Sequence, residues 1–179
     1  MKTSLTVILA ATLFIFHMPF AIAGGPKISI GAGTNRVFNS IKFYDDTIKG
    51  TYGFAVGVMV EAGHTAAIEF GVFAVEHKYD IKFGQSFPTI GDSYWATHIS
   101  LGVRLHALKF FSIGFGVWLD QFNWMNQRIY DHGVYANARI TIRTGMFGLF
   151  VEPRYNHGLK QPKTQELLAL GGLTIGALK

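Results

Sequence analysis

Cysteine is absent from the 179 residues, and charge is scarce: Asp, Glu, Lys and Arg together make up 15%. Without thiols there is no disulfide framework, no thiolate metal site and no cysteine nucleophile. An ordinary soluble domain carries about 25% charged residues, and a chain this poor in charge is not of the disordered class. Long apolar runs are also lacking. Beyond residue 24 nothing approaches the ~18 consecutive apolar residues that a membrane-spanning helix needs. Glycine is frequent, at 21 residues, but shows no Gly-X-Y period, which excludes a collagen-like chain. The net charge of +5 is scattered, with no Lys/Arg-rich run, so a nucleic-acid partner has no footing. The length suits a single domain.

What is present begins with a targeting segment. Residues 1–23 read MKTSLTVILAATLFIFHMPFAIA. Lys2 forms a short positive region, Leu5–Phe16 an apolar stretch, and Ala21-Ile22-Ala23 the small residues at which signal peptidase cuts. His17, Met18 and Pro19 interrupt the apolar stretch, which is too short to span a bilayer. The expectation is a secretory signal peptide over 1–23 and a mature chain of residues 24–179.

The mature chain alternates with period two, the mark of strands with two unlike faces. Val134, Ala136, Ala138, Ile140 and Ile142 alternate with Tyr135, Asn137, Arg139, Thr141 and Arg143. Phe111, Ile113, Phe115, Val117 and Leu119 alternate with Ser112, Gly114, Gly116, Trp118 and Asp120. Comparable segments start at Ile28, Phe54, Ile68, Trp95 and Phe147, and an apolar, Gly-rich segment at Leu167–Leu178 has ambiguous faces. Eight strands are expected. Their connections alternate between short (Ala62–His64, Ala107–Lys109, Thr144–Gly145) and long (Thr34–Gly50, Lys78–Ser93, Asn123–Asp131, His157–Gln165). This is the pattern of an up-and-down barrel with short turns at one end and longer loops at the other.

Charge and size decide the faces. One face of the strands is apolar; the other collects Glu61, Glu69, His98, Arg104, His106, Asp120, Asn137, Arg139, Arg143, Glu152 and Arg154, mixed with glycine. An eight-stranded barrel has room inside only for a packed core or one small ligand. A lipocalin-like soluble calyx, with every large apolar side chain inside, is therefore the weaker alternative. With the apolar face outward, only a bilayer suits the surface. Tyr52, Trp95, Trp124 and Tyr155 near the loops, and Phe110, Phe111 and Phe147 near the turns, suit interfacial girdles. The inward acids and bases are expected to pair as a packed polar interior, because buried charges require partners. His98 and His106 lie about 27 Å apart along one strand and cannot share an ion, so neither a metal nor another cofactor is expected.

Signal peptide, eight alternating strands and asymmetric loops together resemble the small OmpA/OmpX-type outer-membrane barrels of Gram-negative bacteria, across residues 24–179. The resemblance implies an all-β, closed antiparallel transmembrane barrel in the outer membrane, in contact with its lipid and with lipopolysaccharide. Such barrels usually end on an aromatic residue, whereas Ala177-Leu178-Lys179 closes this sequence. A shorter segment, Tyr155–Pro162, is similar to one in the outer-membrane lipid A 3-O-deacylases, which place a His-x-Ser pair just before Asn-x-Gly-x-x-x-Pro and a Glu further on. Asn156, Gly158 and Pro162 fit that run, and Glu166 falls one position from the Glu. Pro153 and Tyr155 stand where the resemblance requires the His and the Ser. Base and nucleophile are both missing, so the triad chemistry cannot run. The reading is a non-enzymatic barrel with an envelope-integrity role or a surface partner met by its loops. Among the loop residues, Asp45, Asp46, Lys49, Asp80 and Lys82 supply polarity, and Phe83, Phe87 and Ile90 are unusually apolar. An ester hydrolase acting on lipid A, or an inactive relative of one, is the alternative.

Overall fold

Side chains that alternate between large apolar and small or polar make strands two-faced, and closing a sheet of them leaves no unpaired edge. The computed structural model of the protein describes residues 25–38, 40–43, 46–82, 89–124, 127–160 and 164–176. The signal segment, Asp45, Phe83, Phe87 and Pro162 lie outside the described residues, as do the side chains of Asp46, Lys82, Ile90 and Trp124. Ten strands appear among the described residues: β1 (Lys27–Val37), β2 (Ser40–Phe43), β3 (Asp46–Gly50), β4 (Tyr52–Gly63), β5 (Ala66–Lys82), β6 (Thr89–His106), β7 (Phe111–Trp124), β8 (Gln127–Thr144), β9 (Phe147–Gly158) and β10 (Gln165–Gly176). Eight of them form a ring in the order β1-β4-β5-β6-β7-β8-β9-β10, and β10 pairs back on β1 to shut it. All these pairings are antiparallel. The protein is an eight-stranded, closed, antiparallel up-and-down barrel.

Two details differ from the sequence reading. The stretch expected as the first long loop contains a hairpin, β2–β3, whose second strand continues the sheet along β5 with Lys49 opposite Asp80. Much of the second and third expected loops is strand as well. β5 and β6 stay paired out to Lys82↔Thr89, and β7 and β8 out to Trp124↔Gln127. Beyond the apolar band nothing selects large apolar residues on the outer face, so the period-two signal fades while the ladder continues.

The outer face is apolar: Ile142, Leu149, Val151, Val117 and Phe115 are all more than half exposed. Tyr52, Trp95 and Tyr155 stand out of the wall toward the loop end, Phe110 and Phe147 at the turn end, and Phe111 is half-buried. The turns are tight. Gly145 holds φ 63 between the paired Thr144 and Phe147, a left-handed conformation that glycine adopts without a steric cost. Inside, Gly102 and Gly116 face each other across β6 and β7. A Cβ on Gly116 would lie 2.8 Å from the Tyr135 ring, so the two glycines form the bed on which that ring lies.

The inner face is less uniformly polar than the sequence reading had it. Ala55, Met59, Phe73, Val75, Phe150, Leu168 and Leu170 form a buried apolar cluster in the lumen. β10, whose faces were ambiguous, sends Leu168 and Leu170 inward and Leu167, Leu173 and Ile175 outward. Both of its faces are apolar because one meets this cluster and the other the exterior.

Candidate functional site

The inward parity of β4, β5, β6, β8 and β9 brings three glutamates and three arginines into one buried group toward the turn end. Glu152 lies at its centre. Its Oε2 accepts from Arg139 Nε at 2.6 Å and from an Arg104 Nη at 2.7 Å. Its Oε1 accepts from Asn137 at 3.1 Å and from Arg154, with Nη2 at 3.0 Å. Glu69 accepts from Arg104 Nε and from Arg154 Nη2, both at 2.6 Å, and from the Tyr135 hydroxyl at 3.1 Å. Glu61 completes the set by pairing with Arg139 and, at 3.4 Å, with Arg104. Remaining guanidinium donors reach Ser29, Ser100 and Ser112. Arginine suits this role because its fixed fork serves several acceptors at once and stays charged when buried. The guanidinium faces also stack: Arg154 lies 4.3 Å from the Tyr135 ring centroid and Arg139 4.6 Å from that of Phe150.

A second polar layer lies toward the loops, beyond Leu168, Leu170 and Trp118. His98 Nδ1 and Asp120 Oδ1 are 2.6 Å apart, and Trp118 stacks on the His98 ring. Glu166 accepts from Asn35 at 2.6 Å and from Asn156 at 2.9 Å. His77 joins the two acids, with Nε2 3.5 Å from Glu166 and 3.8 Å from Asp120. Tyr94 stacks on His77 and on Tyr79. Tyr79 lies on the part of β5 beyond the strand pair Glu76↔Trp95, outside the apolar band, and burial pushes its hydroxyl above the ordinary tyrosine value. Among the described residues, no group of three or more His, Asp or Glu has the geometry to hold a metal ion.

Of the residues singled out in the sequence, Glu61, Glu69, Arg104, Asn137, Arg139, Glu152 and Arg154 meet in the first group, and His98 and Asp120 in the second layer. His106 stays half-buried beside the first group, 3.4 Å from Glu61 Oε2, and Arg143, which shares the inward parity, is exposed at the turn-end mouth, one residue before β8 ends. The lumen opens to solvent there, so burial stops. The deacylase-like run divides between the faces: Pro153 and Tyr155 point outward, Asn156 and Glu166 inward. His77, Tyr79, Tyr94 and Asn35 escaped sequence reasoning. The signal was the parity of β5, where Glu69, Phe73 and Val75 continue in step to His77 and Tyr79.

An apolar outer wall around a closed ring with its charges inside defines a transmembrane-type β-barrel, the inverse of a soluble barrel. The fold is that of the small eight-stranded outer-membrane barrels. The structure resembles the outer-membrane protein AlkL, solved by solid-state NMR in lipid bilayers, with a TM-score of 0.54 at 11% identity over 88% of this chain and 92% of that one. It also resembles Ail, the attachment invasion locus protein of Yersinia pestis, solved with the heparin analogue sucrose octasulfate. That TM-score is 0.47 at 14% identity, over 85% of this chain and 99% of that one. No protein-family model and no curated protein sequence matches the chain.

Proposed function

We propose that the chain is an integral, non-enzymatic protein of the Gram-negative outer membrane, exported by the segment 1–23 and embedded in outer-membrane lipid and lipopolysaccharide. The observation that carries this reading is the pairing of faces: Val117, Ile142, Leu149 and Val151 on an exposed outer wall, and Glu69, Arg104, Glu152 and Arg154 fully buried in the lumen. In water that wall would be an aggregation surface far larger than a soluble monomer shows. Among the described residues, ion pairs and an apolar cluster occupy the middle of the lumen, which favours neither a porin-like channel nor an apolar calyx. Work on a partner then falls to the loop end, where β5–β6 and β7–β8 run past the apolar band and β2–β3 adds a hairpin beside β5. That end serves adhesion or envelope integrity.

Cell fractionation tests the location. The protein should enter the outer-membrane fraction, require detergent for extraction, and migrate differently on gels with and without boiling. Release into the aqueous phase would overturn the reading. Mass spectrometry of lipid A from cells with and without the protein separates the enzymatic alternative: loss of one acyl chain would show an ester hydrolase, and unchanged lipid A supports the non-enzymatic reading.

A further inference from the structure

The arginines of the lumen are matched by its glutamates, but the turn end carries more cations than the one acid beside them balances. Arg104, Arg139 and Arg154 pair with Glu61, Glu69 and Glu152. Lys27, Lys109 and Arg143 add three further cations, and all three border one cavity of about 610 Å³ at the turn-end mouth. Glu61 is the one acid among the residues lining it. That carboxylate is already committed to two buried arginines, and Lys27 Nζ stands 3.9 Å from it. Lys27 Nζ also hydrogen-bonds to His106 Nε2 at 3.2 Å, and that ring nitrogen lies 3.4 Å from Glu61 Oε2. Arg143 is exposed and has no ion-pair partner among the described residues. The Ser112 hydroxyl accepts from Arg104, which leaves its own proton free to donate into the cavity.

From this arrangement we infer that the turn-end cavity is a binding site for a phosphate-bearing anion, held by Arg143 and Lys27 with hydroxyl donors at its wall. A tetrahedral oxyanion presents several acceptor oxygens at once, which suits a guanidinium fork, an ammonium and hydroxyls converging from different strands. The inference does not depend on the envelope role proposed above, since it rests on the charge balance of the lumen itself. Two sources share this chemistry: a free phosphate compound and the phosphate of a lipid headgroup reaching the rim.

Isothermal titration of the folded barrel in an uncharged detergent tests the site, with pyrophosphate in one arm and short-chain phosphatidylglycerol in the other. At least one should bind saturably, and Arg143→Gln should weaken that binding by about tenfold or more, the loss of one charge-assisted hydrogen bond. Tighter binding of pyrophosphate assigns the site to a free phosphate compound; tighter binding of the phosphatidylglycerol assigns it to a headgroup. Lys49→Gln removes the same charge from the opposite end and should leave the affinity unchanged. Because the Arg143 side chain is exposed and forms no ion pair among the described residues, its variant should keep the wild-type heat-modifiable band. Absence of saturable binding in both arms, or equal weakening by Arg143→Gln and Lys49→Gln, would overturn the inference.

Discussion

Replacing Glu152 by Gln keeps the shape of the side chain and removes one negative charge from the centre of the lumen. Glu152 is fully buried and accepts from Arg104, Arg139, Arg154 and Asn137. The variant leaves three arginines to Glu61 and Glu69, so one buried guanidinium loses its counter-charge. Breaking a buried pair by removing one partner costs about 3–5 kcal/mol, because the remaining charge keeps its desolvation penalty without the attraction. The exposed Asp92, whose carboxylate accepts from the neighbouring Ser93 amide at 2.8 Å, provides the contrast: Asp92→Ala should stay within about 0.5 kcal/mol. Removing Arg139 as well, in Glu152→Gln/Arg139→Met, restores the balance of charges and should recover part of the loss, giving a coupling of about 0.5–3 kcal/mol between contacting sites. The assay is urea unfolding of the refolded barrel in detergent, following the heat-modifiable band. A Glu152→Gln midpoint equal to the wild type, or a double variant as unstable as the sum of the singles, would refute the reasoning.

Three further outcomes follow from the same geometry. Val117, paired with Leu101 and Val134 in mid-wall, faces outward; Val117→Arg should destabilise the barrel in lipid vesicles by about 2–4 kcal/mol, and normal assembly would show that this face does not meet hydrocarbon. Gly102→Val would drive a side chain into Tyr135, whose hydroxyl lies 2.4 Å from the position a Cβ would take; a cost of about 1–3 kcal/mol is expected from overpacking, read in the same urea titration. Glu166→Gln should cost less than Glu152→Gln, because Glu166 accepts from two amides, Asn35 and Asn156, with His77 further off at 3.5 Å, and its loss strands no buried guanidinium; hydrogen bonds to a charged group contribute about 1.5–3 kcal/mol. Equal losses in the two glutamine variants would refute that ranking.

The barrel was legible in the sequence wherever a residue's environment depends on parity alone. Val134–Arg143 and Phe111–Asp120 declare their faces because lipid selects one side and a narrow lumen the other. Where that contrast weakens, the sequence falls silent. In β10 both faces are apolar, so Leu168 and Leu170 could not be told from Leu167 and Leu173. Past Trp95 no bilayer selects the outer residues, and Lys78 and Asp80 read as loop although the β5–β6 ladder continues through them. Partnership was less legible than face. Register places Glu61 opposite Glu69 across β4 and β5, a like-charge pair tolerable only because Arg104 and Arg139, from strands elsewhere in the ring, reach into the same space. Nothing in the spacing of Glu69 and Arg104 along the chain announces that meeting.

The ring shuts where β1 meets β10, with eleven residue pairs running from Lys27↔Gly176 to Val37↔Glu166. That seam joins the earliest strand to the latest, so it cannot form while the chain is still being delivered. Until β10 arrives, β1 and β9 both present open hydrogen-bonding edges, and the lumen lacks Leu168, Leu170 and Glu166. Contacts this distant in sequence make folding slow, and open edges in the meantime are templates for mispairing. Closure of the barrel is therefore a late step in its folding. A barrel without its last strand would show two open strand edges and leave the three buried arginines short of their full enclosure.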